Sequence, residues 1–338
     1  MKRVLVGALG ALALVLAACG NDDDNGANDD TAADTGSAEL ERVTVGHIPI
    51  FISAPLIVGV EEGHFEDEGV EVNLERLAGG ADMLVQTAAG NFDIGSGGVG
   101  VALFNLVGEA ESAGQEIPIE VVAPLHEEYP PATTPLAVSR ERYESGEITS
   151  VEDLEGMTVS INARGAATEY WLELALNSGG LTMDDIELTT VNFPEVATAL
   201  ENESIDGAML GEPLATLGQD QDMVTILTDD FVDGEQPTAV YWNRSWAEDN
   251  PESAEGFLRG YLRAVERLED GGWEDDAILE MIEAHTDVPV DVLERASRPY
   301  NSGTLDLESF RAQEAFFRGQ DLLTYDGELD FEGFMRTE

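Results

Sequence analysis

Between residues 42 and 228 short apolar runs, several alternating with polar residues, take turns with longer segments whose apolar positions recur every three or four residues. The first rhythm is that of strands and the second that of amphipathic helices. Val43-Thr44-Val45-Gly46-His47-Ile48 predicts a strand, Pro55 to Gly63 a helix with the glycine past its end, and Val70 to Leu74 a strand. Met83–Ala89 and Val99–Val107 read as helices, Phe92–Gly95 and Ile119–Ala123 as strands. Pro124 to Pro135 holds four prolines and breaks the alternation, which makes it a crossover. His126, Glu127 and Glu128 fall in this stretch and read as solvated loop.

The alternation then restarts. Strands are expected at Thr158–Ile161, Ile186–Val191, Gly207–Leu210 and Val224–Leu227, with helices at Ala166–Asn177, Glu195–Glu201 and Pro213–Gly218 between them. Ala239–Trp242 reads as a strand returning to the first block, and Pro251–Glu269, Glu274–Ala284, Val290–Ala296 and Leu307–Leu322 as helices. Strands alternating with helices imply parallel strands and an α/β architecture. Two such blocks with two crossings leave a cleft, and ligands of open α/β sheets sit beyond the carboxyl ends of the strands. The expected organisation is one lobe from 41–135 plus 238–338 and a second from 136–237.

The N-terminus follows neither rhythm. Lys2 and Arg3 precede an apolar run from Val4 to Ala18, short for a membrane span and suited to a signal-peptide core over residues 1–18. It ends in Leu16-Ala17-Ala18-Cys19, which resembles a bacterial lipobox, so Cys19 is the expected lipidation site. From residue 20 to 38 the chain holds no apolar residue larger than alanine, and residues 19–40 are expected to be an acidic, self-repelling tether. Its nineteen residues from Gly20 to Ala38 would reach about 25 Å on average. The protein is thus expected outside the cytoplasm, lipid-anchored to the cell membrane.

Charge narrows the function. The 338 residues carry 16 basic and 69 acidic side chains, net −53. Lys2 is the only lysine and Cys19 the only cysteine, so the chain beyond residue 18 has 14 arginines against 69 acids, net −55. No lysine remains for a Schiff base or a P-loop, and one cysteine makes neither an internal disulfide nor a cysteine-rich zinc site. Nucleic acid, which needs a basic surface, is excluded as a partner. Such charge destabilises a compact state in dilute buffer and is largely screened at molar salt. A salt-loving source and an acidic, arginine-preferring genome both account for it.

Four motifs carry a resemblance. They are the stretch from Val45 to Val72 with Gly63-His64-Phe65 and Glu68-Gly69-Val70; Gly90-Asn91-Phe92-Asp93-Ile94-Gly95; Ser150 to Val159; and Asp206-Gly207-Ala208-Met209-Leu210-Gly211-Glu212-Pro213. In this order and spacing they resemble extracytoplasmic solute-binding proteins of ABC importers, in the nitrate/sulfonate/taurine-binding and thiamine-pyrimidine-precursor-binding group. The likeness covers residues 42 to about 335. The third motif departs from the group's usual lysines, having Glu155 and Met157 there. The resemblance implies a two-lobed type II periplasmic-binding fold that captures a small solute in its cleft. It implies a permease and an ATPase as partners, a monomer, and no cofactor, metal or catalytic residue.

Candidate contacts lie after the strands. Phe51, Ile52 and Ser53 follow the first, with Ser53 able to cap the next helix. Ser96, Gly97 and Gly98 form a turn where backbone can approach a ligand closely. Arg164, Gly165, Ala166 and Thr168 open a helix; Arg164 can hold an anion by paired hydrogen bonds or can pair with one of the many acids. Glu212 can cap a helix or meet a ligand amine, and Tyr241 and Trp242 can stack on a planar ligand or pack in the core. The enzyme alternative resembles the thiamine-pyrimidine synthase of the same fold, whose pyridoxal-linked lysine and clustered cysteines the chain beyond residue 18 lacks, or menaquinone-pathway enzymes, which are cytosolic. A surface sensor or adhesin without transport stays open.

Overall fold

The computed structural model describes residues 40–77 and 80–336. The signal-peptide, lipobox and Gly20–Ala38 tether readings lie outside the described residues. Strands β1 (Glu41–His47), β2 (Val70–Arg76), β3 (Ile94–Gly98) and β4 (Ile119–Glu128) belong to a first sheet. Strands β5 (Leu136–Ser139), β6 (Thr158–Ile161), β7 (Glu187–Thr190), β8 (Gly207–Met209) and β9 (Val224–Thr228) form a second, and β10 (Glu235–Asn243) returns to the first. The orders are β2-β1-β3-β10-β4 and β7-β6-β8-β5-β9. The helices are α1 (Ala54–Glu61), α2 (Gly80–Ala88), α3 (Val101–Ala113), α4 (Arg140–Glu144), α5 (Ala167–Ser178) and α6 (Phe193–Glu201), then α7 (Leu214–Asp220), α8 (Arg244–Asp249), α9 (Pro251–Glu269), α10 (Asp276–Thr286), α11 (Val290–Leu293) and α12 (Leu307–Gly319).

Each sheet is parallel except for one strand. In the first, β10 runs antiparallel to β3 and β4; in the second, β5 runs antiparallel to β8 and β9. Both are crossing strands. The chain leaves one sheet at the carboxyl end of a strand, crosses the cleft and enters the other sheet from its cleft end, so the entering strand opposes its neighbours. The all-parallel expectation is corrected on this point, and β5 is a strand that the apolar pattern did not indicate.

Helices cover both faces of both sheets. On one face of the first, α2, α3 and α12 bury Met83, Phe104, Phe310 and Phe317. On the other, α1 and α9 bury Leu56, Phe257 and Tyr261. In the second sheet α5 brings Trp171 and Leu172 to one face, and α6 and α7 bring Val196, Leu200 and Ala215 to the other. Two motif aspartates do equivalent work in the two halves. Asp93 Oδ2 accepts from Thr44 N in the middle of β1 at 2.8 Å and Asp206 Oδ2 from Thr158 N at the start of β6 at 2.8 Å, each tying the approach to one strand to its parallel neighbour.

Candidate functional site

The loops at the carboxyl ends of the parallel strands converge on one cavity of about 510 Å³. The first sheet contributes Ile48, Ile50 and Ile52 after β1, the start of α2 with Asp82 and Leu84, and Gly98, Gly100 and Val101 after β3. The crossings contribute His126 and Glu128 from β4, Thr133 and Thr134 behind it, and Pro237 and Thr238 from β10. The second sheet contributes residues 162–168 and Trp171, Asn192 and Phe193 after β7, and Gly211, Glu212 and Leu214 after β8.

The two halves touch over this cavity. Val101 N, in the first turn of α3, donates to Gly165 O in the loop after β6 at 2.9 Å. The approach requires glycine on both sides. A Cβ on Gly100 would lie 2.3 Å from Gly165 O, and one on Gly165, whose φ is +71°, would lie 2.9 Å from Val101 Cβ. Further along the same seam Tyr170 of α5 packs on Phe316 of α12 with ring centroids 5.3 Å apart. Arg295, after α11, holds Asp220 of α7 through both its terminal nitrogens.

Seven of the thirteen sequence-expected ligand contacts line the cavity: Ile52, Gly98, Arg164, Gly165, Ala166, Thr168 and Glu212. The other six lie elsewhere. Phe51 is turned into the core and meets Trp273 edge-on at 5.1 Å. Ser53 caps nothing; its Oγ donates back to Ile48 O at 2.7 Å. Ser96 Oγ donates to Gly46 O at 3.0 Å between β3 and β1. Gly97 makes room for its own chain, since a Cβ there would sit 3.1 Å from Gly80 Cα. Tyr241 and Trp242 are adjacent on β10 and therefore face opposite sides of the sheet, where helices bury both. Trp242 Nε1 donates to Glu120 Oε2 at 2.8 Å, while burial pushes the Tyr241 hydroxyl well above its ordinary pKa.

The expectation of a solvated loop at His126 is overturned: β4 runs on to Glu128, and both side chains are buried. Residues two apart on a strand share a face. His126 Nδ1 lies 2.6 Å from Thr238 Oγ1 and Nε2 lies 3.2 Å from Glu128 Oε1. Glu128 also accepts from Thr133 N at 2.7 Å and Thr133 Oγ1 at 2.6 Å. One polar network thus joins both crossings beneath the cavity. Its signal in sequence is weak, because His-Glu-Glu between prolines has the composition of an exposed loop. Asp82, Asn162, Trp171 and Phe193 are further lining residues that sequence reasoning missed.

Charge in the wall is mostly negative. Arg164 pairs with Glu169 Oε1 at 3.0 Å, and the same fully buried carboxylate accepts from Gly165 N at 2.6 Å. Arg164 thus has a local acid partner and remains a half-exposed lining residue. Glu212 accepts from Thr216 N at 3.0 Å and Thr216 Oγ1 at 2.9 Å, helix-capping bonds at the start of α7. Its side chain is 7% exposed, and burial pushes its carboxyl above the usual range. Among the described residues no group of three or more His, Cys, Asp or Glu side chains is placed to hold a metal ion.

The chain is similar to proteins that bind small solutes. It is 26% identical over 283 residues to the bicarbonate-binding protein CmpA of Synechococcus elongatus, covering 77% of this chain and 62% of that one. It is 27% identical over 250 residues to the riboflavin-binding protein RibY of Chloroflexus aurantiacus, covering 70% and 65%. It therefore spans less than two thirds of the length of these relatives. The alkanesulfonate-binding protein SsuA of Xanthomonas axonopodis, solved with MOPS, shares the fold at a TM-score of 0.70 and 17% identity, over 89% of this chain and 100% of that one. The two-lobed periplasmic-binding fold expected from the motifs is the fold found, and, with residues 36–283 matching the NMT1-like family, the chain belongs to that family.

Proposed function

We propose that this protein is the solute-capturing component of an ABC importer. The observation that carries the reading is a single cavity walled by strand-end loops of both sheets and bridged at its rim by Val101 N and Gly165 O. A cavity of that build grips a ligand with two bodies at once, and closure is as favourable as the ligand's preference for the closed state. In this reading the lobes are 41–135 plus 238–338 and 136–237, and they hand the solute to a permease driven by a separate ATPase. The names of the relatives, which bind bicarbonate and riboflavin, support solute capture. Lipid on Cys19 holds the monomer at the outer face of the membrane, and residues 19–40 let it reorient.

The cavity's size speaks for an organic solute. Its 510 Å³ equals roughly 17 waters at about 30 Å³ each, far more than a bicarbonate or nitrate ion fills, and lies in the usual range for organic ligands. The fold by itself does not separate binding proteins from enzymes. The non-enzyme reading rests on the wall, where Arg164 pairs with Glu169, His126 is held between Thr238 and Glu128, and Glu212 is bound by Thr216, and on a chain that beyond residue 18 has neither lysine nor a second cysteine.

The test is incubation of the purified chain from residue 20 onward with small-molecule extract of its host. A ligand at 100 times its Kd adds about 2.7 kcal/mol, which raises Tm by several degrees for a body of this size. Recovery of one compound, chemically unchanged, together with that rise is the expected result. No stabilisation refutes solute capture, and recovery of a transformed compound favours the enzyme.

A further inference from the structure

We infer that the occupant of the cleft is an organic cation, an ammonium or amidinium group on an apolar or aromatic body. This rests on the solute-binding reading above and adds the charge of the solute. Three carboxylates belong to the wall. Asp82 stands exposed at the start of α2, Glu212 lies in the opposite wall, and Glu128 sits fully buried behind His126 and Thr133. Glu128 contributes its field, Asp82 is open to direct contact, and Glu212, largely buried, reaches the cavity wall.

The basic side of the balance is spent. Arg164 lines the cavity and stays half-exposed, but one of its terminal nitrogens lies 3.0 Å from the fully buried Glu169, so the pair adds no net positive charge to the wall. His126 is held between Thr238 Oγ1 and Glu128 Oε1. Glu212 receives only neutral donors, the N–H and O–H of Thr216 and, at 3.5 Å, the N–H of Ser297. Among the described residues no basic side chain pairs with it. A buried carboxylate without a cation is costly, and that cost is why its carboxyl is pushed up. A positive group on the solute relieves it, while an anion entering the cleft meets repulsion from both walls and from a chain of net −53.

The remaining wall determines the rest of the solute. Ile50, Ile52, Phe193 and Leu214, all part-exposed, offer apolar surface, and the Phe193 ring is of a kind suited to cations. A bare metal ion would leave most of this surface empty. The relatives named for bicarbonate and alkanesulfonate bind anions, so the inference separates this chain from them by charge.

The experiment identifies the solute. The chain from residue 20 onward is loaded with host extract and examined by native mass spectrometry, and the released compound is identified by chromatography and mass. A compound bearing a protonated or quaternary nitrogen is expected. An anionic or uncharged compound overturns this inference and leaves solute capture standing. No bound compound overturns solute capture itself. Calorimetry with the recovered compound then compares wild type with Glu212→Gln, which keeps an acceptor for Thr216, and with Asp82→Asn, which is exposed and safe for folding. At least a tenfold loss of affinity in Glu212→Gln, with a smaller loss in Asp82→Asn, is expected. Unchanged affinity in both overturns the charge argument.

Discussion

Replacing Gly100 by alanine isolates the contact between the two halves. Gly100 has φ 179°, an extended conformation that alanine adopts freely, so the change does not strain the first sheet. Its Cβ would nevertheless stand 2.3 Å from Gly165 O, and an ordinary contact needs about 1 Å more. The halves must part at the rim, and the hydrogen bond from Val101 N to Gly165 O is lost, about 1 kcal/mol. The Tyr170–Phe316 contact loosens with it, for roughly another 1 kcal/mol. About 2 kcal/mol taken from the closed state alone corresponds to roughly 30-fold weaker binding. Calorimetry with the recovered solute reads the affinity, and small-angle scattering reads whether the solute still makes the molecule more compact. If the empty protein opens at this rim, its Tm should be unchanged by the substitution. Wild-type affinity in Gly100→Ala would refute the reasoning and remove the rim contact from the bound state. Gly165→Ala is a poorer probe, because its φ of +71° adds backbone strain to the clash with Val101.

Burial, with lesser contributions from the charges of Arg76 and His285, lowers the His47 pKa to about 4 from 6.5. The neutral ring is thus favoured by folding. Its stabilisation is complete above pH 6.5 and is lost as pH falls from 6.5 to 4, by about 3 kcal/mol in all; His47→Gln should flatten urea-melt stability over that window, and an unchanged slope contradicts the assignment. Cys19→Ala should release the protein into the soluble extracytoplasmic fraction, since stable anchoring needs more than one acyl chain; retention of the variant at the membrane, with no lipid on wild type, rules out the lipobox. If carboxylate repulsion dominates over the exposed ion pairs, Tm should rise between 0.1 and 2 M NaCl, and a flat or falling Tm excludes salt-dependent stability.

The sequence alone determined the elements whose physics is local. Helix α9 is found at the predicted Pro251–Glu269, because proline suits its first turn and Ala254, Phe257, Tyr261, Val265 and Leu268 recur at helical spacing on one face. Strand β6 is found at Thr158–Ile161, and the alternation of strands and helices was enough to place a cleft beyond the strand ends. Period and composition record which face of an element is apolar, but not what covers the other face or from which side a chain enters a sheet. The antiparallel course of β5 and β10 comes from entry across the cleft. Tyr241 and Trp242 read in sequence as stacking platforms or as core, and they are core because helices cover both faces of the first sheet. His126 and Glu128 look solvated and become buried because Thr238, distant in sequence, and Thr133, five residues on, turn back to satisfy them. The sequence offers Arg164 many acids, and the structure pairs it with Glu169 of α5 at 3.0 Å. The covering of β10 and the pairing of His126 with Thr238 depend on contacts between distant segments, and only the tertiary structure decides those.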